Sequence, residues 1–247
     1  MHLFEFHDLP NVPATIRLTL LDILAFCNGP VRDYYGDLCR TIVHEAETRG
    51  LRTVVELGAG TAPLTMHLAA LPAARGLRLV ACDLYPDIEH YRELTKRHPD
   101  QVQGIVEPVD FTLRHDWGPG VLLVLNATFH HIPPELRRQT LAALTQSSDR
   151  VLIFEPIQNN LVSMLLALTS FFPAIASPLW LTRPGILRRV LWCWLVPIAP
   201  LMFVWDALVS CLRQWSGERW QTELATIVSP DRKPQIATTI HSAVVRW

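Results

Sequence analysis

The stretch that most constrains this chain is Val54-Val55-Glu56-Leu57-Gly58-Ala59-Gly60-Thr61-Ala62-Pro63-Leu64-Thr65. An apolar run ends at an acidic residue, two glycines follow at alternate positions, and an apolar-periodic segment begins at once. The pattern predicts a buried strand, a tight turn and the start of a helix. Glycine has no Cβ, so a ligand can approach such a turn closely. The free N–H groups of the first helical turn then face the crevice beyond the strand, where open α/β sheets hold their ligands.

The same alternation continues. Leu77 to Asp83 is a β-run closed by a carboxylate, and Val102 to Phe111 predicts another short strand, ending at Asp110. Val121 to Leu125 is a run of five apolar residues, as in a parallel strand buried on both faces; it stops at Asn126. Arg150 to Glu155 is a fifth strand ending in an acid. Helical segments are predicted between them, from Pro63 to about Ala73, over 86–97, and from Glu135 to Leu144. Two more precede the first strand. One carries Ile16, Leu20, Ile23, Leu24 and Cys27 at helical spacing and stops at Gly29-Pro30; the other runs from Val31 to Thr48. Arg219–Val228 and Ile236–Val245, around a Ser229–Pro234 turn, are expected as a closing pair of strands. The fold class is therefore α/β, a doubly wound, mostly parallel seven-stranded sheet. N-terminal helices precede it, and a helical apolar insert comes before the last two strands. The expected divisions are an arm and cap helices over 1–50, a Rossmann-like core over 51–156, the insert over 157–214 and the closing strands over 215–247.

The dinucleotide fingerprint G-x-G-x-x-G places a third glycine where this chain has Pro63, which suits a first helical turn but not that motif. Asp83, some twenty residues beyond the glycines, can accept two hydrogen bonds from a ribose diol. Glu56-x-Gly58-x-Gly60 resembles motif I of the class I S-adenosylmethionine-dependent methyltransferases. Asp83, Asp110, Asn126 and Glu155 follow in the order of that family, so the resemblance covers roughly residues 50–156. It implies S-adenosylmethionine as cofactor, held by Glu56, Gly58, Ala59, Gly60, Asp83, Leu84, Asp110, Phe111 and Asn126. Asp110 would receive the adenine amino group, with Phe111 against the ring. The Asn126 loop with His130, His131 and two prolines resembles motif IV, where a histidine is the natural general base for a hydroxyl or amine acceptor. By the same analogy Tyr34 or Tyr35 would touch the methionine end of the cofactor or the acceptor. Phe4 and Phe6, on an N-terminal arm, would close over the site or simply pack on the domain.

Net charge is −1 and the pI about 6.8, which leaves no electrostatic footprint for nucleic acid. The five cysteines are odd in number and lack metal-ligand spacing, so neither a disulfide framework nor a metal site is expected, and no signal-peptide pattern opens the chain. A reducing cytoplasm is the default. Mean hydropathy is nevertheless +0.19 with 18% charged residues. Most of that apolar character lies between 157 and 212: Leu161 to Thr182 holds no charge, and Val190 to Leu212 is broken only by Asp206. A transmembrane hairpin has the length. Pro173, Pro178, Pro197 and Pro200, a loop bearing Arg183, Arg188 and Arg189, and Asp206 within the second run count against it. The alternatives are a substrate cap or an interfacial element whose arginines and tryptophans meet an anionic membrane surface. Apolar patches of this extent also suit a homodimer.

The expected function is methyl transfer to a lipophilic small-molecule or lipid-like acceptor. A nicotinamide-dependent reductase is disfavoured by Pro63 and by the lack of a Tyr-x-x-x-Lys pair. A catalytically silent cofactor-binding or membrane-associated module is the other alternative.

Overall fold

The computed structural model describes residues 3–9, 11–31, 33–148, 150–182, 184–229, 234–238 and 243–247. The chain divides into two compact units, one formed by residues 1–34 with 157–214, the other by 35–156 with 215–247. Residues 35–50 therefore group with the sheet rather than with the N-terminal arm.

The second unit is a seven-stranded sheet. Its strands are β1 (Thr53–Leu57), β2 (Arg78–Cys82), β3 (Val102–Gly104), β4 (Val121–Asn126), β5 (Arg150–Glu155), β6 (Gln235–Thr238) and β7 (Ala243–Arg246), in the order β3-β2-β1-β4-β5-β7-β6. The first five are parallel, and β7 runs antiparallel between β5 and β6. Leu57 is level with Cys82 on one side and Leu125 on the other, and Asn126 with Phe154. The carboxyl ends of β1, β2, β4 and β5 thus form one rim. One face of the sheet buries Val55, Leu57, Val80, Leu123, Leu125, Val151 and Ile153 with Phe129, Trp215 and Trp220, a large apolar burial that favours folding of this unit.

The helices of this unit are α2 (Tyr34–Arg49, of which all but the first residue belong here), α3 (Pro63–Ala70), α4 (Ile88–Arg97), α5 (Arg137–Ser147) and, last in the chain, α10 (Gly217–Ile227). Two expectations are corrected. Arg219–Val228 is helical, not a strand: Ser216 caps it by accepting from the Arg219 N–H at 3.2 Å, and Trp220, Leu224 and Val228 recur at i, i+4, i+8 and are buried. Both closing strands come instead from the stretch expected as one. The third strand also ends at Gly104, so Asp110 lies in a loop; Pro108 there has no N–H to continue a ladder.

The first unit is helical: α1 (Ala14–Phe26), α6 (Leu161–Thr169), α7 (Phe171–Ala176), α8 (Ile186–Val190) and α9 (Ile198–Arg213). Ile16, Leu20, Ile23, Ala174, Cys193 and Ala199 form its core. Asp206, expected to oppose a membrane span, is buried and accepts from the N–H groups of Phe6 at 2.6 Å and His7 at 3.2 Å. Arg188 and Arg189 both reach Asp22, at 2.6 and 3.2 Å, so they do not form a free cationic patch; Arg183 lies outside the described residues. Leu161–Leu179 is long and apolar enough to cross a membrane, whereas the second apolar run bends by 84° between residues 195 and 198.

Candidate active site

The glycine turn is built on left-handed backbone. Gly58, Gly60 and Ala62 have φ of +66°, +55° and +52°. At Gly58 a side chain is also excluded by space, since a Cβ would stand 2.4 Å from Thr128 Cγ2 and 3.3 Å from Phe111 Cε1. At Gly60 the surrounding space is open and only the φ value favours glycine. Pro63 occupies the first helical position of α3, as its fixed φ allows.

Ala62 stands at the N-cap of α3 with no side chain to cap it. Glu56 does so from β1: one carboxylate oxygen accepts from the Thr65 N–H at 2.9 Å and the Thr65 hydroxyl at 2.6 Å. Burial pushes the Glu56 carboxyl up to about 7, against the Thr65 hydrogen bonds that lower it, and Asp83 adds a small rise.

Asp83 follows directly on β2. Its two oxygens accept from the N–H groups of Gly60 and Tyr85, each at 2.8 Å. That fixes the carboxylate against the glycine turn and leaves it lone pairs for a diol. Leu84 beside it is exposed, and the Ala59 N–H is held by the Cys82 carbonyl at 3.0 Å. Asp110 uses one oxygen on the Thr112 N–H and hydroxyl, at 2.9 and 2.6 Å, closing a turn that presents Phe111 next to Gly58. Asn126 ends β4, and the Thr128 hydroxyl donates within the same corner, lying 2.9 Å from the Asn126 carbonyl and 3.3 Å from that of Gly58. Gly58, Gly60, Asp83, Phe111, Asn126 and Thr128 therefore converge at one rim of the sheet. Thr128 is not singled out by the sequence; its proximity to Gly58 depends on pairing across seventy residues.

The histidine loop is organised differently. His130 is buried, and its Nδ1 lies 2.7 Å from Glu155 Oε2, while Glu155 Oε1 accepts from the Phe129 N–H at 2.8 Å. The half-buried His131 ring lies 4.1 Å from that of His130. Arg137, at the start of α5 and buried, donates to the Ile132 carbonyl at 2.9 Å and the His130 carbonyl at 3.0 Å. Its guanidinium lies over the rings of Phe129 and Trp215. Glu155 and Arg137 thus hold the loop from below.

Among the expected acceptor-side residues, Tyr35 is half-buried and stacks on His67 at 4.5 Å. Tyr34 is buried at the first position of α2. Phe4 and Phe6 belong to the helical unit, where they pack edge to face on each other and Phe4 lies against Trp205.

The rim residues suit an adenosyl ligand: a fixed strand-end carboxylate, open space over Gly60, and apolar flanks at Leu84 and Phe111. Solved structures agree on the fold. The chain matches PigF with SAH at a TM-score of 0.52 and 15% identity, over 85% of this chain and 60% of that one. It matches the methyltransferase domain of bacterial CtHen1 at 0.51 and 9%, over 84% and 95%. It matches the S-adenosylmethionine-dependent methyltransferase SibL in its apo form at 0.50 and 13%, over 87% and 55%. The chain spans about three fifths of the length of PigF and just over half that of SibL. No protein-family model and no curated protein sequence matches it. The fold is that of the class I S-adenosylmethionine-dependent methyltransferases, Rossmann-like with an antiparallel seventh strand.

Proposed function

We propose that this protein is an S-adenosylmethionine-dependent methyltransferase acting on a lipophilic small-molecule acceptor. The observation that carries the reading is the hydrogen bond from the Gly60 N–H to Asp83, which joins the glycine turn of β1 to the strand-end acid of β2 on a sheet of methyltransferase order. The uncharged stretch from Leu161 to Thr182 supports an apolar acceptor.

When bound, S-adenosylmethionine supplies a methyl group on a sulfonium, open to in-line displacement. The protein's own residues have three tasks. Asp83 fixes the ribose hydroxyls, with Glu56 holding α3 and hence the turn in place. Phe111 and Leu84 exclude water beside the adenine, and Asp110 and Asn126 line the same rim. His130 takes the proton of the acceptor: with its own proton on Nδ1 facing Glu155, Nε2 carries the basic lone pair, the arrangement by which a carboxylate orients a histidine base. Positioning the acceptor against the methyl group contributes much of the remaining acceleration.

Calorimetry tests the core of this reading. S-adenosylmethionine and S-adenosylhomocysteine should bind at micromolar concentration while NADH and NADPH do not, and Asp83→Ala should weaken both. A folded protein that binds neither sulfur ligand would overturn the proposal.

A further inference from the structure

From α6 onward the helical unit is patterned inside out. A helix of a water-soluble domain turns its large apolar residues inward and its small or polar ones outward. On α6 the order is reversed: Ser163 and Ala167 are the buried residues, while Leu161, Leu165 and Leu168, at i, i+4 and i+7, face outward with Val162 and Leu166. The following elements repeat this. Ala174, Ser177, Cys193 and Ala199 are buried, whereas Phe172, Leu179, Leu195 and Leu201 are exposed. Leu161 is 71% exposed, Leu195 72% and Leu187 82%, against 1% for Ser163. Small residues at helix contacts and leucines outside is the packing of helices that have hydrocarbon as their solvent.

The polar groups of the unit agree. Asp206 is consumed by the N–H groups of Phe6 and His7, Asp22 by Arg188 and Arg189, and Glu5 by Ser210 and Arg213 at 2.9 Å each. These three buried acids are satisfied inside the unit, as buried charges must be where water is absent. The outward leucines carry no charge among them across residues 161–182, which complements an uncharged hydrocarbon layer rather than a lipid headgroup. With Phe172 of α7 they are spread over α6, residues 179–187, the π-helical turn at 191–195 and α9, an apolar surface that reaches across most elements of the unit.

We propose that this helical unit is immersed in the hydrocarbon of a lipid layer. The inference does not depend on the methyl-transfer reading. Flotation tests it: the full chain, purified in mild detergent, is mixed with vesicles of neutral phosphatidylcholine while the detergent is removed. The chain should float with the vesicles and remain bound in high salt. Leu161→Glu and Leu187→Glu, both on exposed positions and so compatible with folding, should each lower the bound fraction about tenfold or more. Leu113→Glu, an exposed leucine of the sheet unit, should leave it unchanged. Circular dichroism checks that all three remain folded. Three outcomes overturn the proposal: a defined dimer that ignores neutral vesicles, uptake only by anionic vesicles and lost in salt, or equal effects of Leu113→Glu and Leu187→Glu.

Discussion

Glu56 on β1 caps α3 through Thr65, nine residues further on, with a carboxyl group from which burial withholds its charge until about pH 7. The folded state therefore keeps a proton that the unfolded chain has released above its ordinary value of 4.5. The Glu56 contribution to stability should therefore fall as pH rises from about 4.5 to about 7, and level off beyond. The total fall is on the order of 3 kcal/mol. Urea unfolding of the parent and of Glu56→Gln at about pH 5 and about pH 8 checks this; the decline should vanish in the variant. An equal decline in both would assign it to other groups.

Gly58 and Gly60 should respond differently to alanine. Gly58→Ala meets both a left-handed φ and Thr128 Cγ2, and should cost about 2–5 kcal/mol. Gly60→Ala meets only the φ requirement, about 1–2 kcal/mol. Adding Thr128→Ser to Gly58→Ala removes the clashing methyl and should recover part of the loss in a denaturation series.

Asp83→Asn keeps the shape but removes the charge that Gly60 and Tyr85 hold in place. A hydrogen bond to a charged group contributes about 1.5–3 kcal/mol, so affinity for S-adenosylhomocysteine should drop roughly 10- to 100-fold by calorimetry. Unchanged affinity would remove Asp83 from the cofactor site.

His130 and Glu155 separate chemistry from architecture. His130→Ala should lower kcat by about 10²–10⁴-fold while the cofactor Kd stays the same. Glu155→Ala should cost about 3–5 kcal/mol in thermal or urea unfolding, because it strands both the Phe129 N–H and the His130 ring in a buried site. A Glu155 variant as stable as the parent would contradict the buried pairing.

The parallel core was legible because β1, β2, β4 and β5 are short apolar runs that close on or beside a polar residue, a signal carried by neighbours in sequence. Gly58, Gly60 and Pro63 announced a turn and a helix start for the same reason. What escaped depends on distance along the chain. Thr128 matters through its contact with Gly58, Arg137 through carbonyls of a loop that only the fold brings over it, and Glu155 through a histidine on another strand's loop. The α10 helix is a different case. Its Ser216 cap and the Trp220, Leu224, Val228 spacing were readable, but the expectation of two long closing strands prevailed over them.

Asp206 ties the N-terminal arm to α9 about 200 residues later, and Asp22 ties α1 to α8 across 166 and 167 residues. That connection has a consequence for biogenesis. Residues 35–156, about 120 in number, must leave the ribosome in between, which at roughly 5–20 residues per second takes ~6–24 s. During that interval Ile16, Leu20 and Ile23 have emerged without the helices that will cover them. The nascent chain thus carries an unburied apolar helix while its sheet is being completed, and chaperone demand should concentrate there.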